Sequence, residues 1–159
     1  MALGQTTQTY YLNIREGKVF VQTEAYNFVE GRICKPIYKK KSTFGREQIE
    51  RWYITLEDEG AHYVLVLPYE SGVFKSIALS LASDEALTLG TQIRIEPYIS
   101  RNLTKVVTYS EGVKLDWVTK ELPPQKVINV GGKEYRDKSE QMAFIEKVVM
   151  NINNKLKQY

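Results

Sequence analysis

One cysteine and one histidine are all that 159 residues provide of those two types. The lone Cys34 excludes an internal disulfide framework and fits a reducing cytoplasm. Among strand-like neighbours it reads as a small buried hydrophobe. A single His62 cannot join it in the four Cys or His donors of a structural zinc site, so no metal is expected. Long apolar runs are missing as well. No window approaches the roughly 20 residues needed to span a bilayer, and no membrane partner is expected. The opening MALGQTTQTYY has neither a basic region nor a continuous apolar stretch, so no secretory signal is read there. Without secretion, the acceptor-like triplet Asn102-Leu103-Thr104 is a chance match.

Catalytic signatures are equally scarce. Gly131-Gly132-Lys133 lacks the spacing and the following Ser/Thr of a phosphate-binding loop and reads as a hairpin turn. Glu57-Asp58-Glu59 precedes Gly60 and reads as a solvated turn. His62 has no nucleophile motif such as G-x-S-x-G near it. The expectation is a protein that is not an enzyme and carries no cofactor.

What is present is an ordinary globular balance, 43% hydrophobic and 26% charged, long enough for one domain with a real core. The net charge of +3 is too small to argue for nucleic acid by itself. Its distribution says more. Between Arg32 and Arg51 stand seven Lys/Arg against two Asp/Glu, a local +5 that leaves −2 for everything else.

Alternation marks the strands. TYYLNIREGKVFVQT reads as a hairpin turning at Glu16-Gly17. GRICKPIYKKKST is strand-like, with Pro36 placing it at an edge or bulge. In IERWYITLE, Trp52, Ile54 and Leu56 share one face and Arg51, Tyr53 and Thr55 the other. HYVLVLP is apolar on both faces and reads as central. Val73, Phe74, Ile77, Ala78 and Leu81 then follow helical spacing after a capping Ser71. TQIRIEPY returns to strand with Ile93 and Ile95 inward and Arg94, Glu96 and Tyr98 outward. LTKVVTY and VKLDWVT follow, the latter placing Trp117 inward with Val113 and Leu115. KVINVGGKEYRD is a second hairpin. Met142, Ile145, Val149, Ile152 and Leu156 stripe a helix from about Lys138.

With the first and last elements set aside, the middle reads strand, strand, strand, helix, strand, strand. That is the order of a mainly β, five-stranded OB-like barrel with a helix between strands three and four. The whole chain 1–159 is expected to be one such domain. The core barrel covers about 30–120, the N-terminal hairpin about 9–23, and the C-terminal hairpin and helix about 126–158. Another small barrel or sandwich with an inserted helix is the alternative. In the OB assignment the basic segment Lys39 to Gln48 is the loop joining strands one and two, and Ile99 to Leu103 joins four and five. Those two loops and the face of strands two and three are where this fold holds oligonucleotides or oligosaccharides.

Single strands are held by cations along the phosphates and rings under the bases. The candidate binding residues are therefore Lys35, Tyr38, Lys39, Lys40, Lys41, Phe44, Arg46, Arg51, Tyr53, Arg94, Tyr98, Arg101 and Lys105. Trp52 is assigned to the core by its parity. Lysines are point charges suited to phosphates, so sequence preference is expected to be weak. No helix carries the basic face of a major-groove reader.

The stretches LPYESGVFKSIALSLAS, IRIEPYIS and VKLDWVTKELPP resemble small replication-associated proteins of phages infecting gut Bacteroidetes, the crAss-like group among them. The resemblance runs from about Tyr10 to the last helix and rests on structural rather than functional motifs. It implies an OB-fold single-stranded DNA-binding protein of DNA replication or recombination in the host bacterial cytoplasm, with replication proteins as partners. It supplies no individual binding residues. RNA as ligand and a homo-oligomeric state stay open. Many bacterial single-stranded DNA-binding proteins end in an acidic recruiting tail, whereas this chain ends NINNKLKQY, so recruitment of that kind is not expected. The rival reading is a phage structural or assembly protein whose barrel or C-terminal helix docks protein.

Overall fold

The computed structural model describes residues 8–44, 47–119 and 121–157. The first hairpin is β1 (Gln8–Arg15) and β2 (Lys18–Val21), followed by the short β3 (Glu24–Tyr26). Then come β4 (Val29–Ile33), β5 (Tyr38–Phe44), β6 (Glu47–Asp58) and β7 (Ala61–Pro68). Helix α1 (Gly72–Ser83) leads to β8 (Gln92–Ser100), β9 (Leu103–Ser110) and β10 (Val113–Lys114). The hairpin β11 (Lys126–Val130) and β12 (Lys133–Asp137) precedes helix α2 (Ser139–Lys157).

Among the described residues, ten strands make one sheet, ordered β10-β9-β8-β4-β6-β7-β1-β2-β3, with β5 paired to β6 beside that path, and β11 and β12 pair only with each other. The sheet curls into a half-barrel. Gly17, in the β1–β2 turn, donates its N–H to Thr104 Oγ1 at 3.1 Å, joining strands far apart in the sheet order. A side chain there would meet Ile99 Cγ1 at 2.5 Å, and the φ of +71° already favours glycine. Gly31 in β4 is required by close approach instead, since an added Cβ would stand 2.9 Å from the Glu57 carbonyl oxygen.

Strands β4/β5, β6, β7, β8 and β9, expected to form the barrel, do lie side by side as β9-β8-β4-β6-β7. The five-strand count is corrected. Strand β1 adds in parallel to β7, from Gln8↔Ala61 to Leu12↔Leu65, and brings β2 and β3 with it. Two expected loops are also corrected. Lys39, Lys40 and Lys41 stand inside β5, where β6 satisfies their backbone groups. The segment between the fourth and fifth expected strands shrinks to a tight turn at Arg101 and Asn102, both at positive φ.

Along the inner face, Leu12, Val19, Ile33, Trp52, Ile54, Leu56, Leu65, Ile93 and Ile95 merge with Phe74, Ile77 and Leu81 of α1 in one core. Ser71 caps α1, its Oγ accepting from the Phe74 N–H at 3.2 Å. Trp52 stacks on Phe74 with centroids 4.6 Å apart and donates its indole N–H to the Tyr69 carbonyl at 3.0 Å. Val113, 65% exposed, and Trp117 are exceptions to the parity reading, and only Leu115 of that trio packs against the core. β10 ends at Lys114, and Trp117 is 43% exposed with its indole N–H on Ser76 Oγ.

The apolar stripe of α2 completes the core. Met142, Ile145, Val148, Val149, Ile152 and Leu156 are all buried in that same cluster. Each contributes about 1.5–3 kcal/mol on burial, so tertiary packing rather than helix propensity holds α2. Polar contacts fix its register. Asn153 accepts from the Ile37 N–H and donates to the Ile37 carbonyl, both at 2.8 Å, pinning the Pro36 break between β4 and β5. Lys155 Nζ donates to the Ala82 and Asp84 carbonyls at the end of α1.

Candidate nucleic-acid interface

The β5–β6 pairing sorts the basic cluster by side. Residues directly opposite in an antiparallel pair point the same way, and successive residues alternate. Tyr38↔Tyr53 and Lys40↔Arg51 therefore share the outer face, while Lys39↔Trp52 and Lys41↔Glu50 share the core side. On the outer face the Tyr38 and Tyr53 rings stack with centroids 4.9 Å apart and planes 5° from parallel. Tyr38 remains 43% exposed, leaving ring surface open to solvent. Partial burial pushes its phenol pKa up, with Tyr53 and Tyr11 adding to the shift. Tyr11 on β1 is 65% exposed.

Lys39 does something different. Its ammonium forms an ion pair with Glu146 of α2 and lies 5.3 Å from the Tyr69 ring centroid. That bond holds the Glu146 carboxyl below its ordinary range despite partial burial. Tyr69 is pushed up to about 12, first by burial and then by its hydrogen bond to Glu146. Lys39 is thus a tie between sheet and helix. No ion pair of Lys40 or Lys41 is found among the described residues. Lys35 is exposed at the β4–β5 break. Phe44 enters through its backbone, paired with Glu47, and Arg46 lies outside the described residues.

The remaining candidates form a separate group on β8 and β9. Tyr98 and Lys105 are cross-strand partners, both exposed, and Arg101 occupies the adjoining turn. The pairing register places Tyr98 about ten residue positions along the strand direction from Tyr53, ~33 Å at about 3.3 Å per residue. The two groups mark opposite ends of the outer face rather than one pocket. Arg94 is engaged within the protein, its guanidinium 3.7 Å from the Phe28 centroid and 3.4 Å from Glu96 Oε1.

Two features escape the sequence reading. Tyr11 alternates outward from Leu12, a signal visible in TYYLNI, but its position in the sheet, opposite Val64, depends on the parallel β1–β7 pairing. Tyr98, Lys105 and Trp117 line a groove of about 730 Å³ between α1 and β9, which no local pattern announces. Comparison with protein-family models, curated proteins and solved structures finds no match. No described helix is long and apolar enough to cross a membrane.

Proposed function

We propose that this chain is a non-catalytic single-strand nucleic-acid-binding protein. Its OB-like barrel holds single-stranded DNA, with weak sequence preference, during phage DNA replication or recombination. The observation that carries the reading is the Tyr38–Tyr53 stack with Lys40 and Arg51 on the same exposed face. Rings give every base a platform and cations neutralise phosphates, without a donor pattern that reads base edges. The adjacency β9-β8-β4-β6-β7 supports the OB-like assignment, with β6 and β7 as its second and third strands. DNA and phage replication follow from the resemblance described above. Fluorescence titration of the full chain with labelled oligo-dT, competed by unlabelled duplex, tests the proposal. Single strand is expected to win, and equal competition by duplex would overturn it.

The protein-docking alternative changes its location. The α2 stripe is buried in the core and offers no free apolar face. The β11–β12 hairpin does, with Val127, Val130 and Tyr135 each more than half exposed. A partner of the replication machinery docking there is compatible with strand binding elsewhere. Pull-down with and without Val130→Asp distinguishes the hairpin from the barrel.

A further inference from the structure

The chain's sole cysteine and sole histidine, 28 positions apart, end on neighbouring strands with a carboxylate between them. Cys34 follows β4, Glu57 lies on β6 and His62 on β7. Glu57 and His62 are direct cross-strand partners, and Cys34 reaches β6 through its N–H on the Thr55 carbonyl at 3.3 Å. One ligand atom from each of Cys34, Glu57 and His62 lies within 4.8 Å of the others, and all three residues are half-buried. We infer that these residues form a three-donor zinc site with one open position.

The donor set fits that ion. Thiolate and imidazole favour borderline-soft Zn²⁺ over hard cations, and carboxylate is its third common ligand. Three protein ligands plus a solvent position make a recurrent zinc arrangement, so the fourth donor that sequence counting sought is unnecessary. Donors on a tetrahedral zinc with bonds of about 2.0–2.3 Å stand about 3.3–3.6 Å apart. His62 Nε2 and Glu57 Oε2 are already 3.8 Å apart. The rest of the closure is about 1 Å of side-chain rotation by this geometry.

Local bonding leaves the donors free to move. The His62–Glu57 separation exceeds a hydrogen bond, and among the described residues the Cys34 thiol makes only a weak contact with the Thr55 carbonyl at 3.7 Å. Binding releases the Cys34 thiol proton to solvent and fills the site with a Zn–S bond. The inference is independent of strand binding.

Equilibrium dialysis of the reduced full chain against zinc chloride, with Co²⁺ as spectroscopic substitute, tests it. One ion per chain and a thiolate-to-cobalt charge-transfer band in the near ultraviolet are expected. Cys34→Ser should abolish the band. Loss of outer-shell groups alone weakens metal sites about 10–100-fold, so His62→Asn should lower zinc affinity by more than about tenfold. Glu57→Gln should weaken zinc while leaving the cobalt–sulfur band detectable at saturation. Circular dichroism checks that each variant is folded. Absence of the band in the unsubstituted chain, or the same zinc affinity in folded Cys34→Ser and His62→Asn, overturns the site.

Discussion

Tyr38 and Tyr53 face each other across the β5–β6 pair with ring planes 5° from parallel, while Trp52, one residue from Tyr53, is buried against Phe74. Strand alternation thus assigns neighbouring aromatics to opposite tasks. Tyr53→Ala is expected to weaken single-strand binding by about 1–3 kcal/mol if the stack supports a base. Trp52→Ala should instead destabilise the fold by about 3–5 kcal/mol. Binding titrations and denaturant melts of both variants check the assignment, and exchanged phenotypes would reverse it.

The lysines separate in the same way. Lys40→Ala should reduce the log–log salt dependence of binding by roughly 0.7, one phosphate contact on a single strand. Lys39→Ala should leave that slope unchanged and lower the melting temperature, because its ammonium is held by Glu146. Titrations at several salt concentrations distinguish the two.

Glu146 also gives the fold a pH dependence of known sign. The Lys39 bond depresses its folded-state pKa. A depressed carboxyl contributes stability that is present above its unfolded pKa, about 4.3 for Glu, and lost as pH falls through the folded value. Both partners are more than a third exposed, so solvent screens part of the gain. Melting temperature is expected to fall with acidification below the ordinary Glu range, and Glu146→Gln should flatten that fall. Thermal melts across pH 3–6 check it.

At the other extreme of pH, Tyr69 is expected to ionise with a midpoint of about 12. The sign is opposite. A raised folded-state pKa contributes stability fully present below the unfolded value near 10, and lost as pH rises through the folded one. Ultraviolet phenolate titration should show a late-titrating tyrosine that Tyr69→Phe removes.

Deleting residues 138–159 should yield an insoluble or unfolded chain. It removes Ile145, Ile152 and Leu156 from the core together with both Asn153 bonds to Ile37. Solubility and thermal melting check this. A stable, monomeric truncation would show that α2 is dispensable.

Much of the fold is legible locally. Trp52, Ile54 and Leu56 declare an inner face by alternation, Ser71 caps α1, and the α2 stripe announces something to pack against. What escapes is set by pairing between segments. KKK has no apolar alternation, so it resembles a loop until β6 supplies its backbone partners. Val113, Leu115 and Trp117 carry a strand's alternation, yet β10 ends at Lys114 and the last backbone bond to β9 is from the Leu115 N–H to the Thr108 carbonyl. The outward side of Lys40 depends on the β5–β6 hairpin register, and the approach of Cys34 to His62 depends on register across separate strands. One position of slip would turn each side chain to the other face.

The most direct test of the central claim is a fluorescence titration of labelled oligo-dT with the full chain and with Tyr38→Ala, at one fixed salt concentration. Tyr38 is exposed on the outer face, and its replacement leaves Trp52 and the core contacts in place. The account predicts tight binding by the unsubstituted chain and a loss of about 1–3 kcal/mol in a variant that melts as a folded protein. Unchanged affinity in folded Tyr38→Ala, or no binding of oligo-dT by the unsubstituted chain, would contradict it.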